Sequence, residues 1–343
     1  MTEPTAADRG AIMSAVFGYM TAQTLAAAVR LKIADHLGET GRPAADVASE
    51  LGTDPGATRR LLRALAASGL ATEPRPGVFA LTPRGTLLRT DRPDSVAEFV
   101  GMFLDPTMVS AWGHLDDSVR TGRVAFDDLF GSDFFGFLAK HPELSRAFNA
   151  SMRQGTRETA AVLPRMLGLD GATSITDVGG GDGTLLAAIL TAHPHLRGVL
   201  FDSPQGSAES GPVLDAAGVT GRCEVTTGDF FAAVPAGSDV YLLKSIVHDW
   251  DDERVVTILG HIRAVIPPEG RLLIVEPVLP ETVDGSLRPT MYLSDLNMLV
   301  NVGGRERTEA EFRSLCERAG FSLAGVTRLP APAAISVIEA VPA

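Results

Sequence analysis

From Ser174 onward, short apolar runs alternate with stretches of helical period. Ile175–Val178, Gly198–Phe201, Cys223–Thr226, Val240–Lys244, Arg271–Glu276, Phe321–Leu329 and Ala334–Ala340 have strand length. Between them, Leu185–Ala192, Val213–Ala217, Arg254–Val265 and Glu309–Ala319 read as helices. Strand–helix alternation of this kind predicts an α/β fold with a doubly wound, mostly parallel sheet of the Rossmann type.

The N-terminal part is patterned differently. Ala22–Leu37 carries Leu25, Val29, Ile33 and Leu37 at helical spacing. A second helix opens near Pro43 and ends at Gly52; a third is announced by Asp54 as N-cap and Pro55 in the first turn. Leu70–Glu73 and Val78–Leu81, with Pro-Arg-Pro-Gly between them, predict a hairpin. Helix, turn, helix, hairpin is the order of a winged helix. Three segments are expected: a mainly α-helical winged-helix-like domain over 12–95, a helical linker over 96–170, and an α/β domain over 171–343. The linker region holds aromatics, of which Phe134, Phe135 and Phe137 are candidates for a flat apolar pocket.

Composition narrows the picture. Over 343 residues the formal net charge is −12, which argues against nucleic acid as a partner despite Arg59, Arg60 and Arg63 on the third helix. Two cysteines far apart, Cys223 and Cys316, suit a reducing cytoplasm and offer no metal pair. Neither a signal-peptide pattern nor an uninterrupted run of about 18 apolar residues is expected to place the chain in a membrane.

Chemistry enters at Ser174–Gly183, S-I-T-D-V-G-G-G-D-G. A strand, a glycine turn and a helix start lie where open α/β sheets hold nucleotide-like ligands. The dinucleotide fingerprint G-x-G-x-x-G is broken, because its third glycine position is Thr184. Asp177 and Asp182 flank Gly179 and Gly181, which suits a ligand with positive charge. Asp202, at the end of the next strand, is placed for a ribose diol. Asp229 and Phe230, after the third strand, are placed for an adenine amine and ring face. Adenosine joined to a cation points to S-adenosyl-L-methionine.

The motifs D-V-G-G-G-D-G (177–183), F-D-S-P (201–204), G-D-F-F (228–231), L-L-K-S-I-V-H-D-W-D-D-E (242–253), L-L-I-V-E (272–276) and G-G-R-E-R-T (303–308) then carry a resemblance over nearly the whole chain. It resembles the class I S-adenosylmethionine-dependent methyltransferases, and among them the plant caffeate-type and bacterial antibiotic-pathway O-methyltransferases. The resemblance implies a winged-helix dimerisation domain, a homodimer, a small aromatic hydroxylated acceptor, S-adenosyl-L-homocysteine as product and no metal. It also implies that Lys244 lies near the cofactor and Met152 near the reacting methyl. Met298 and Asn301 match a helix along the substrate pocket. Phe230 departs from the methionine common at that position.

Methyl transfer to a phenol needs a positioned base, since the phenol's own pKa is about 10. His248, past the strand Val240–Lys244, is the candidate, with Glu276 and Glu306 to orient its second nitrogen. The resemblance implies the same roles. Asp249 is read as a cap for the following helix, and Asp249, Asp251 and Asp252 as a solvated helix start rather than a magnesium cluster. Two rival readings share these motifs. One is a relative that decarboxylates or hydroxylates a polyketide, which should have lost the base. The other is a winged-helix DNA-binding regulator, which needs no base at all.

Overall fold

The computed structural model describes residues 3–330 and 335–343. The chain forms two compact units divided between Val109 and Ser110, inside the segment expected as a linker.

The first unit opens with the helix Ala6–Arg30, fixed at its start by a capping box between Thr5 and Asp8. This helix bears on the membrane expectation without overturning it. An 18-residue window within it has a mean hydropathy of 1.4, long and apolar enough by composition to cross a membrane. Ser14, Gly18, Thr21, Gln23 and Thr24 interrupt the apolar residues, so no unbroken run of about 18 is present. Ile12, Val16, Phe17, Tyr19 and Met20 are exposed on it. The helix expected over Ala22–Leu37 is broken at Lys32, whose φ of 52° is left-handed; Ile33–Leu37 forms a separate turn. Helices Ala44–Leu51 and Pro55–Ala67 follow, the second capped by Asp54, which accepts from the Ala57 amide at 2.7 Å. Hairpin strands Ala71–Arg75 and Val78–Leu81 pair with each other, and Val78–Leu81 pairs on its other side with a short third strand, Arg42–Pro43. Arg63 lies 3.4 Å from Glu73 of that hairpin. Phe99 and Phe103 stack in this unit.

The second unit is built on a seven-stranded sheet. Its strands are β1 Ser174–Val178, β2 Arg197–Asp202, β3 Cys223–Thr227, β4 Val240–Lys244, β5 Arg271–Glu276, β6 Phe321–Arg328 and β7 Ser336–Pro342. The expected start of the last strand, Ala334, lies outside the described residues. The order is β3-β2-β1-β4-β5-β7-β6. The first five are parallel, while β7 runs antiparallel to both β5 and β6.

Side chains of the central strands alternate between two cores. Tyr241, Leu243, Leu272 and Ile274 enter one, and Val240, Leu242, Leu273 and Val275 the other. Both faces are therefore buried, which is why these runs are almost continuously apolar. Parallel β1, β2, β4 and β5 bring their carboxyl ends to one edge. Gly179, Asp202, Ser245 and Glu276 all leave the sheet there.

Candidate active site

The glycine turn leaves β1 with alternating demands. Gly179 has a φ of 74°, and a Cβ on it would stand 2.4 Å from Ile246 Cδ1 and 3.7 Å from Phe230 Cε1. A Cβ on Gly180 would stand 2.7 Å from the carboxyl carbon of Asp177. Gly181, with a φ of 59°, meets nothing within 4 Å, so the loop is open at this point. Asp202, at the end of β2, accepts from the Gly181 amide at 2.7 Å and from the Ser203 amide at 2.6 Å.

The two loop carboxylates are not displayed as the sequence suggests. Asp177 is 1% exposed and folded beneath Gly180; burial pushes its carboxyl up to about 7, and its Oδ2 has no hydrogen-bond partner. Asp182 forms an ion pair with Arg153 from the helix Pro142–Val162. Asp229 is exposed and accepts from the Phe231 amide at 2.8 Å, an Asx turn beyond β3. Phe230 packs edge-on to Phe231 and Trp250. Lys244 ends β4 with its amine largely buried; burial lowers its pKa, and Nζ donates to Thr156 Oγ1 at 3.2 Å.

His248 follows β4 on a single 3₁₀ turn, Val247–Asp249. The chain enters that turn through Ser245, at a left-handed φ of 54°. Strained backbone of this kind persists only where surrounding structure imposes it. Glu276, at the end of β5, is fully buried, and its Oε1 accepts from the amides of Ile246, Val247 and His248 at 2.9, 2.9 and 3.3 Å. Its Oε2 lies 3.5 Å from His248 Nδ1. Glu306 Oε1 lies 3.2 Å from the same Nδ1 and accepts from Ser294 Oγ at 2.8 Å. The imidazole, 17% exposed, thus has Nδ1 engaged and Nε2 turned away from the glutamates.

Burial alone would depress the pKa of His248. Glu276, Asp249 and Glu306 outweigh it and hold the imidazole up at about 10. Burial in turn raises Glu276, and lifts Asp249 to about 7. Asp249 is not the helix cap: Asp251 accepts from the Arg254 amide at 2.9 Å, and the Asp249 carboxylate lies 3.6 Å from His248 Nε2. Asp252 is held by Arg305 and Arg307, so the three aspartates point in different directions. Among the described residues, His248, Glu276 and Glu306 bring three possible ligand atoms within 4.8 Å of one another.

Near this turn the aromatics are packed. Phe135 is half-buried, 5.1 Å from Trp250 between ring centroids, and contacts Phe134 and Phe148 edge-on. Met152 is half-buried on the helix Pro142–Val162, four residues before Thr156, which donates to its carbonyl. The helix expected through Asn301 ends at Asn297; Met298–Val302 is a π-helical turn that buries Met298 and Asn301. Asn301 donates to Asn297 Oδ1 at 3.0 Å, as does Trp112 Nε1. Trp112 can only donate, so the oxygen of Asn297 is fixed, and the Asn301 amide with it. Sequence reading missed Ser294 and Arg153, whose roles depend on partners far away in the chain.

The patterns of known families agree with this geometry. An O-methyltransferase domain matches residues 112–322, and an O-methyltransferase dimerisation domain matches 13–91. The chain is 50% identical over 333 residues to O-demethylpuromycin-O-methyltransferase of Streptomyces alboniger, covering 96% of this chain and 88% of that one. The solved structure of mitomycin 7-O-methyltransferase MmcR superposes with a TM-score of 0.92 at 33% identity over 98% of both chains. That of CalO1, a methyltransferase of calicheamicin biosynthesis bound to S-adenosylhomocysteine, gives 0.83 at 34% identity over the whole of both.

Proposed function

The chain belongs to the S-adenosylmethionine-dependent O-methyltransferases with an N-terminal dimerisation domain, and from that premise we propose that it methylates a phenolic hydroxyl of a small aromatic secondary metabolite, with His248 as general base. The carrying observation is the pair of glutamates facing Nδ1 of His248, so that once the imidazole has released a proton Nε2 is the nitrogen left to accept one from the acceptor.

The residues present fit S-adenosylmethionine. The loop is open at Gly181, Asp202 offers a carboxylate at a strand end, Phe230 offers an aromatic face, and Asp177 keeps a buried oxygen without a partner. Asp202, Asp229, Phe230, Lys244 and the turn at Gly179 and Gly181 are the residues assigned to hold it. When bound, it supplies a methyl group already activated on a sulfonium. The protein's task is to align the acceptor and sharpen its nucleophile. A phenol of pKa about 10 meets an imidazole held at a similar value, so proton transfer to Nε2 is nearly balanced. Glu306 accepts from Nδ1–H and fixes the tautomer, and Glu276 offsets the charge of the imidazolium. Phe135, Met152 and Met298 are assigned to the acceptor; Asn301, fully buried and bonded to Asn297, is assigned instead to holding the π turn that carries Met298. Nδ1 of His248 is hydrogen-bonded to Glu306 and charge-paired with Glu276, and this cluster is assigned a proton, so turnover is expected to survive EDTA.

The exposed apolar side chains of Ala6–Arg30 overlap the segment matched by the dimerisation domain, so a second copy of this chain is the occupant assigned to them. The first test offers O-demethylpuromycin and a panel of simple phenols with the methyl donor and follows methyl gain by mass spectrometry. A His248→Gln variant with full turnover would overturn the base assignment. Tight S-adenosylhomocysteine binding with no phenol methylated would overturn the acceptor class.

A further inference from the structure

We propose that Arg307 is a positioning residue for methyl transfer, clamping the backbone turn that carries His248. The proposal rests on His248 being the base. Arg307 is 0% exposed, the largest fully buried side chain among the described residues. Its Nη1 donates to the Val247 carbonyl at 2.9 Å and to the Arg305 carbonyl at 3.3 Å. Its Nη2 donates to the Trp250 carbonyl at 2.8 Å and to Asp252 Oδ1 at 2.8 Å, and Nε donates to the same Oδ1 at 3.1 Å. A guanidinium has five N–H groups, and each of these contacts uses one. Val247 and Trp250 bracket His248 and Asp249, so the fork spans the turn that bears the base.

The surrounding chain is shaped to the same end. Arg307 directly follows Glu306, so one segment brings a carboxylate to Nδ1 and a cation to the backbone below. A Cβ on Gly304 would stand 1.9 Å from the His248 carbonyl oxygen, so this segment lies directly on the turn. Arg307 and Thr308 pair with Val278 and Leu279, two and three residues beyond Glu276. Both glutamates therefore reach the imidazole from paired backbones, and Arg307 fixes where the imidazole sits between them. Lysine keeps the charge but is a point donor without the planar fork, and cannot reproduce the set.

A double-mutant cycle tests this. Arg307→Lys is expected to lower kcat on the acceptor found above about 10- to 100-fold. KM and the affinity for S-adenosylhomocysteine should stay within about 2-fold, as expected when only the reacting geometry shifts. In a His248→Ala background, where long incubations read the residual rate, Arg307→Lys should cost nothing further. Asp252→Asn, a milder change, should follow the same pattern if Arg307→Lys does not fold. Independently of any acceptor, the His248 imidazole, assigned in the NMR spectrum by its loss in His248→Gln, should titrate nearer the ordinary range in Arg307→Lys. Equal losses in both backgrounds, or an unmoved His248 titration, overturn the clamp. Wild-type turnover by His248→Ala overturns the base reading instead, and the clamp with it.

Discussion

Glu276 holds His248 twice, with one carboxylate oxygen on its backbone amide and the other facing its imidazole. The first oxygen also takes the amides of Ile246 and Val247, so one carboxylate builds the turn and tunes the residue it carries. The two functions separate in a substitution that keeps an acceptor and removes the charge. Glu276→Gln should destabilise the fold by about 1–3 kcal/mol in urea unfolding, the cost of disturbing a buried, charge-assisted network. It should lower kcat by about 10-fold or more, in line with losing one element of acid–base catalysis. Full activity in a destabilised Glu276→Gln protein would confine the residue to building the turn.

The elevated pKa of His248 acts in opposite directions on stability and on rate. The folded state holds this proton up to about 10, against 6.5 for an ordinary histidine. Its contribution to stability is therefore fully present below about 6.5 and is lost as pH climbs through about 10. The rate runs the other way, because the free site must release its proton before accepting one from the phenol. Across that window kcat/KM should rise with pH. Both slopes should flatten in His248→Gln, read by urea unfolding and by initial rates. A wild-type kcat/KM that does not change between those limits counts against the assignment.

Gly179 and Gly181 share a left-handed backbone but not their surroundings, and alanine at each should behave differently. At Gly181 the Cβ enters open space, so the expected loss is the conformational cost alone, about 1–2 kcal/mol. At Gly179 the Cβ strikes Ile246, adding about 1–3 kcal/mol for overpacking and moving the residue next to Val247. Thermal unfolding and calorimetric titration with S-adenosylhomocysteine measure both. Equal stability losses at the two positions would contradict this packing.

The apolar face of Ala6–Arg30 predicts an assembly. Phe17, 52% exposed, and Ile12, 67% exposed, lie on the same helix, and glutamate at both should prevent a second copy from covering them. Analytical ultracentrifugation is expected to show a dimer for the wild type and a monomer for Ile12→Glu/Phe17→Glu. A variant that still sediments as a dimer would place the interface elsewhere.

The sequence was most readable where a strand is buried on both faces. Val240–Lys244 and Arg271–Glu276 end where the apolar run meets its first polar residue, so the positions of Lys244 and Glu276 follow from hydrophobicity alone. His248 and Glu306 were legible through their motifs. What escaped depends on partners distant in sequence. Arg153 neutralises Asp182, a charge that the sequence leaves apparently free for a ligand. Asp249 turns inward because Asp251 takes the cap. The π turn at Met298–Val302 reflects packing that periodicity does not encode.

The antiparallel insertion of β7 between β5 and β6 has a consequence for the order in which the enzyme is made. Ser336 is the register partner of Glu276, so the strand carrying the glutamate gains its outer neighbour from sequence 60 residues further along. A nascent chain that has emerged only as far as Arg328 holds every residue of the base site and every residue of the cofactor loop. Its β5 is still a sheet edge, with ladder groups unpaired. The residues of the site are therefore all present in the chain before the strand that covers the open edge of β5.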